Sequence, residues 1–191
     1  LEAGDRPFAG GFVDDFHGWD FVDHDNDPSV PPALQRASYA NHGTKMAGAI
    51  GACGNNGVGI SGVCWKVSLL CLRTIPEDVA NRLHYDTEKT IGPALRYAVA
   101  MNAQIVNCSW GKAQATASYL ETMRRGGEKG ILFVAAAGNA GADLDRQPIY
   151  PACFRLPNLL SILASEKNDG PLNLFRQVVT NYGARGIFAA S

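Results

Sequence analysis

The chain has 191 residues, 46% hydrophobic and 18% charged, with a formal net charge of -1, which is ordinary globular material of about one domain with enough apolar residues for a substantial core. The near-neutral balance gives no electrostatic basis for binding nucleic acid or an anionic membrane surface, no apolar run approaches the roughly 18 residues of a membrane span, and Leu1-Glu2-Ala3-Gly4-Asp5 is no signal peptide. The five cysteines, Cys53, Cys64, Cys71, Cys108 and Cys153, show no CxxC pair and no metal-ligand spacing.

Residues 1 to 40 are rich in turn formers and carry an acidic stretch, Asp23-His24-Asp25-Asn26-Asp27. Carboxylates on a flexible loop suit a hard cation such as calcium, and a solvated turn is the plainer alternative, since the ligand spacing of a dedicated calcium loop is missing. Next comes Ala40 to Ala52, in which Asn41 is placed to cap a helix that begins at His42. A helix start holds an imidazole rigidly, and the small residues after it allow the helix to press against neighbours. His42 is therefore a candidate base in need of chemical partners.

The connector Gly54-Asn55-Asn56-Gly57-Val58-Gly59-Ile60-Ser61-Gly62 is a turn or a backbone cage, and it lacks the Gly-Lys-Ser/Thr ending of a phosphate loop. Val67 to Ile75 reads as a strand buried on both faces. Residues 76 to 89 form a polar insertion, and Thr90 caps a helix whose apolar face is Ile91, Leu95, Ala98 and Val99, with Pro93 in its first turn.

Gln104 to Ser109, Ile131 to Ala137 and Leu159 to Ala164 read as further buried strands, with a last one near Gly186 to Ala190 and a helix over Ala115 to Glu128. Cys71 and Cys108, inside apolar runs, read as small buried hydrophobes. A Cys53–Cys64 disulfide is conceivable, though spacing alone does not show it. Strands alternating with helices predict an α/β fold with a mostly parallel sheet. Sites in such folds gather at the carboxyl ends of the strands, where Ser109 and Asn139 lie.

Five motifs in order, His42-Gly43-Thr44 with Ala47-Gly48, the glycine-asparagine connector, Ile105 to Gly111, Ala135 to Asn139, and Tyr150-Pro151-Ala152, resemble those of the subtilisin-like serine proteases. The resemblance implies a three-layer fold, a mostly parallel sheet flanked by helices, and a serine endopeptidase that works through an acyl-enzyme on polypeptide substrates. By position, it implies that His42 is the general base and acid and that Asn139 is the side-chain donor of the oxyanion hole. It further implies that Ser109, Trp110 and Gly111 form the strand along which substrate pairs, and that Ala136, Ala137 and Gly138 form one wall of the pocket for the residue before the scissile bond. Trp110 stands where smaller apolar residues are usual, so it narrows a subsite or simply packs. The connector resembles the family's calcium loop, with the Asn56 side chain and the backbone oxygens of Gly54, Val58 and Ile60 as ligands.

The family's triad runs Asp, His, Ser in chain order. No Asp-Ser/Thr-Gly turn precedes His42, and no Gly-Thr-Ser segment occurs, so Ser191 is not the nucleophile. The chain is accordingly expected to be one part of a catalytic domain and inactive by itself. Loss of cover from around ten core side chains, at about 1.5 to 3 kcal/mol each, would exceed a domain stability of roughly 5 to 15 kcal/mol. It is expected to fold only with its remainder or a partner chain. A pseudoprotease serving as a structural or binding subunit is the alternative from another functional class. The family resemblance implies secretion or an organelle lumen, whereas five cysteines without evident pairing sit better in a reducing compartment.

Overall fold

The computed structural model describes residues 12–34, 41–76 and 87–163, so the strand expected near Gly186 to Ala190 lies outside the described residues. The chain divides into two compact units, Leu1–Tyr97 and Ala98–Ser191. Both contain parallel strands with helices, as the α/β expectation requires.

In the first unit, β1 (Gly18–Asp20) pairs in parallel with β2 (Cys71–Arg73), aligning Gly18 with Cys71 and Asp20 with Arg73. Gly18 has φ +122°, and a β-carbon there would collide with the backbone of Cys71, so only glycine allows the two strands this approach. Trp19, Phe21, Ala94 and Tyr97 form the buried core, against which Phe12, Leu70 and Leu72 pack. The ring of Phe12 stands edge-on to Trp19 at 5.0 Å between centroids, an arrangement favoured by the aromatic quadrupoles.

Two expectations for this region are corrected. The strand read over Val67 to Ile75 is only Cys71–Arg73, because pairing extends no further than its three-residue partner, and Val67 and Leu69 are exposed. Cys71 is likewise exposed rather than a core residue, although burial around its thiol is enough to push its pKa up.

Helix α1 (His42–Gly51) begins differently from the sequence reading. Asn41 adopts a left-handed conformation, φ 64° and ψ 11°, and makes no side-chain capping bond. Its carbonyl accepts from the Lys45 N–H at 2.9 Å. No residue of α1 is fully buried. At its other end, the connector folds back over the helix. The N–H groups of Gly62, Val63 and Cys64 donate to the carbonyls of Ala52, Ala49 and Ile50 at 2.9, 3.0 and 2.9 Å, satisfying acceptors that a helix C-terminus leaves open. A β-carbon on Gly62 would strike the Ala52 backbone, which explains glycine there.

Helix α2 (Ile91–Ala100) buries Ile91, Leu95, Ala98 and Val99 as its periodicity predicts. The Thr90 hydroxyl donates to the Thr74 carbonyl at 2.8 Å, while its own carbonyl accepts the first helical bond from Ala94 at 3.0 Å.

The second unit is a parallel sheet in the order β3-β4-β5, formed by Ile105–Cys108, Leu132–Ala136 and Leu159–Ile162. Helix α3 (Ala117–Glu128) covers one face, burying Tyr119, Thr122, Met123 and Gly126. A β-carbon at Gly126 would lie 2.7 Å from the Phe133 ring, so the helix and sheet approach closely through that glycine. The Asn158 side-chain amide donates to the carbonyls of Met123 at 2.9 Å and Ile131 at 3.1 Å, tying the end of α3 to the start of β4. Phe133, Ala135, Leu159 and Ser161 on this face are buried, whereas Ile105 and Leu132 on the other are 62% and 37% exposed. Burial on both faces of these strands thus holds for one face only among the described residues.

Candidate functional site: two strand ends and a histidine helix

Parallel pairing aligns Cys108 with Ala135, so the segments that leave β3 and β4 emerge side by side. Ser109, Trp110 and Gly111 follow β3, and Ala137, Gly138 and Asn139 follow Ala136, the last residue of β4. Within the second unit the structure therefore brings together the expected substrate strand and the expected pocket wall. Ala137 is buried, and its N–H donates to the Ile162 carbonyl at 2.9 Å, which fixes the wall to β5. Gly138 has φ 90°, a conformation open to glycine, and the turn it makes leaves Asn139 exposed. The Asn107 amide donates to Ser109 Oγ at 2.8 Å.

Trp110 is half-buried and packs edge-on against the buried ring of Tyr119, 5.9 Å between centroids and 81° between planes. Lys112 Nζ stands 5.4 Å from the centre of the same ring. The sequence reading missed the strip that flanks Gly111. Lys112 and Tyr150 exchange backbone hydrogen bonds of 2.9 and 2.8 Å, and a β-carbon on Gly111 would collide with the Ile149 side chain. Tyr150-Pro151 was the only signal of that strip.

His42 is exposed at the first position of α1, in the first unit. The connector after α1 is also exposed at Asn56, Val58 and Ile60. Its geometry bears on calcium. Asn56 Oδ1 accepts from the Val58 N–H at 3.0 Å, and the four donors, Gly54, Asn56, Val58 and Ile60, include no carboxylate. Among the described residues no group of three His, Cys, Asp or Glu side chains is placed to hold a metal.

The acidic stretch near β1 is organised around an internal cation instead. Asp20, in β1, is ion-paired with Arg73, whose Nη1 also reaches Asp23 Oδ2 at 2.6 Å. Asp20 Oδ1 accepts from the N–H groups of Val22 at 2.6 Å and Asp23 at 3.0 Å. Burial raises the Asp20 pKa, against the opposing effect of these hydrogen bonds and of Arg73. Asp27 caps the following turn by accepting from the Ser29 N–H at 3.1 Å, and hydrogen bonding from the Ser29 side chain, then from its backbone, lowers the Asp27 pKa. The residues from Asp23 to Asp27 are exposed, as a solvated turn would be. All five cysteines are free, with Cys53 and Cys64 both exposed and unbridged.

Comparison with known proteins places these segments in a family. The family model described as the subtilase family matches residues 6–183. Thermitase of Thermoactinomyces vulgaris is 30% identical over 152 residues, covering 80% of this chain and 48% of thermitase. Subtilisin-like protease 2 of Plasmodium falciparum is 30% identical over 133 residues, 68% of this chain and 10% of that protein. The chain thus spans less than half the length of these curated relatives. In fold, it is similar to the protease domain of PatA (TM-score 0.64, 24% identity, 82% of this chain and 54% of that one). It is similar also to a cold adapted subtilisin-like serine proteinase (TM-score 0.57, 24% identity, 78% and 46%). With its site segments inside the matched region, the chain belongs to the subtilase family of serine peptidases.

Proposed function

We propose that this chain supplies the general base, the oxyanion donor and the substrate strand of a subtilisin-like serine endopeptidase. The observation that carries the reading is the side-by-side emergence of Ser109–Gly111 and Ala136–Asn139 from paired parallel strands. A peptide lying extended along Ser109–Gly111 would present its scissile carbonyl near the end of β4. There the Asn139 amide donates to the oxygen as charge develops on it, an interaction stronger in the transition state than with substrate. His42 accepts the proton of a serine hydroxyl as that oxygen attacks the carbonyl, then delivers it to the leaving amine, and water completes the cycle by hydrolysing the acyl-enzyme. The serine and the carboxylate that orients His42 come from outside residues 1–191 in this reading.

Calcium has a structural part at most. The connector oxygens would hold the ion only together with a carboxylate from elsewhere, so no catalytic step involves it. Secretion or a lumenal compartment belongs to the same reading and rests on family resemblance; the described residues contain no helix long and apolar enough to cross a membrane.

Fluorophosphonate labelling of the protein at its full natural length tests the reading. A covalent serine adduct is expected, and His42→Ala should slow its formation by several orders of magnitude. A folded protein that gives no adduct would support the pseudoprotease alternative instead.

A further inference from the structure

Two of the five cysteines are brought together by the way the connector folds back on α1. Cys53 lies between Ala52 and Gly54, and Cys64 between Val63 and Trp65. The Ala52 carbonyl accepts from the Gly62 N–H at 2.9 Å, and the Cys64 N–H itself donates to the Ile50 carbonyl, in the last turn of α1, at 2.9 Å. On the other flank, a β-carbon at Gly54 would lie 2.2 Å from the Trp65 indole, so that ring rests directly on the glycine. Residues on both sides of Cys53 thus touch residues on both sides of Cys64, which brackets the two thiols within one short stretch. Both cysteines are exposed and free. The Cys64 thiol makes a long 3.6 Å contact with the Lys66 carbonyl, which a rotation of the side chain gives up at little cost. The other three are placed differently: Cys108 is buried, Cys71 is held in register with Gly18, and the Cys153 sulfur accepts from the Ile149 N–H at 3.3 Å.

We propose that Cys53 and Cys64 form a reversible redox pair: a peroxide closes a disulfide between them that clasps the connector to the end of α1, and a thiol reductant opens it. One thiolate attacks a peroxide oxygen, so that an S–O bond forms, the O–O bond breaks and the other oxygen leaves as water. The second thiol then attacks that sulfur; the S–S bond forms, the S–O bond breaks, and a second water carries away the remaining thiol proton. Two electrons pass from the sulfur pair to hydrogen peroxide, and a dithiol returns them. The ring so closed holds every connector residue from Gly54 to Val63, and it adds a covalent tie to the three backbone bonds that already dock this segment on the helix. A disulfide joins Cα atoms about 4.4–6.8 Å apart, so formation of the bridge reads the bracketing contacts directly. The pair is independent of the peptidase reading, since neither sulfur takes part in bond cleavage.

The test treats the reduced protein, at its full natural length, with dilute hydrogen peroxide. Trypsin leaves both cysteines in a single peptide, Met46 to Lys66, so mass spectrometry should show that peptide lighter by two hydrogens. Both thiols should vanish together from maleimide labelling, and dithiothreitol should restore them. Cys53→Ser and Cys64→Ser, substitutions at exposed positions, should each abolish the two-hydrogen loss, and Cys71→Ser should leave it intact. Thermolysin, which cuts before apolar residues, reports on the clasp, because Val58, Ile60 and Val63 are all exposed. Once peroxide is removed, cleavage within the connector, read after reduction, should be slower by about tenfold or more in the oxidised protein. Peroxide that produces only intermolecular dimers, or only sulfinic acid at these two sulfurs, overturns the pair, and equal cleavage rates in the two states overturn the clasp. A protein that gives no fluorophosphonate adduct yields the same readouts, so the peptidase reading and the redox pair fail separately.

Discussion

Arg73 and Asp20 face each other across the β1–β2 register with side chains 7% and 1% exposed, and the same guanidinium nitrogen also holds Asp23. A cation thus closes the turn after β1 from the neighbouring strand. Arg73→Ala leaves the Asp20 carboxylate buried without its cation and is expected to cost about 3–5 kcal/mol. The pH dependence follows from burial, which raises the Asp20 pKa above 3.8. A raised folded-state pKa gives stability that is fully present below the unfolded value and is lost as pH rises through the folded one. Removing Arg73 takes away a lowering influence, so the variant should lose stability more steeply with rising pH. Denaturant titrations between about pH 3 and 7 check both magnitude and slope.

Asn158 ties the end of α3 to the start of β4 through both its side chain and its backbone. Its side-chain amide serves the carbonyls of Met123 and Ile131, and its backbone carbonyl accepts from the Phe133 N–H at 2.8 Å. Asn158→Ala would remove both side-chain bonds, at an expected cost of about 1–3 kcal/mol. Thermal unfolding should show a lowered Tm, and hydrogen exchange should show faster opening at the start of β4 than in β1.

The cysteines should separate by reactivity. Cys108 is buried, and burial pushes its thiol up to about 12 from 9.0, so its contribution to stability is present below about pH 9 and lost as pH rises toward 12. Cys53 and Cys64 are exposed. At pH 8 a maleimide should label these two rapidly and Cys108 only after denaturation, as mass spectrometry of peptides would show.

If Asn139 is the oxyanion donor of the proposed peptidase, Asn139→Ala should lower kcat with little change in KM, because such an amide acts on charge that exists only in the transition state. Subtilisin is the type case of this effect, with a loss of about 100- to 1,000-fold. Steady-state kinetics on the protein at its full natural length provide the check, and a change confined to KM would remove Asn139 from the oxyanion site.

The sheet of the second unit was legible because each strand is a short apolar run bounded by polar or glycine-rich residues, and the family motifs fall at its strand ends. β1 was not legible: Gly18-Trp19-Asp20 contains an aspartate that reads as a turn former, and its arginine partner stands 53 residues away in sequence. The strand over Val67 to Ile75 was overextended because composition shows apolarity but not the length of the partner. Asn41 illustrates the limit of residue preference, since asparagine suits both a capping side chain and a left-handed backbone, and local context selected the latter. The approach of Ile149 to Gly111 was not legible, because spacing does not encode which side chain lies against a glycine.

The alignment of Cys108 with Ala135 also makes the β3–β4 ladder a ruler for the site. A slip of one residue would carry the end of β4 about 3.3 Å along its neighbour and turn every side chain on it to the opposite face. Such a molecule would keep its strands and helices, and its circular dichroism would hardly differ. In the proposed peptidase it would nevertheless be silent toward an active-site label, so the labelled fraction of a refolded sample would count correctly registered molecules, not merely folded ones.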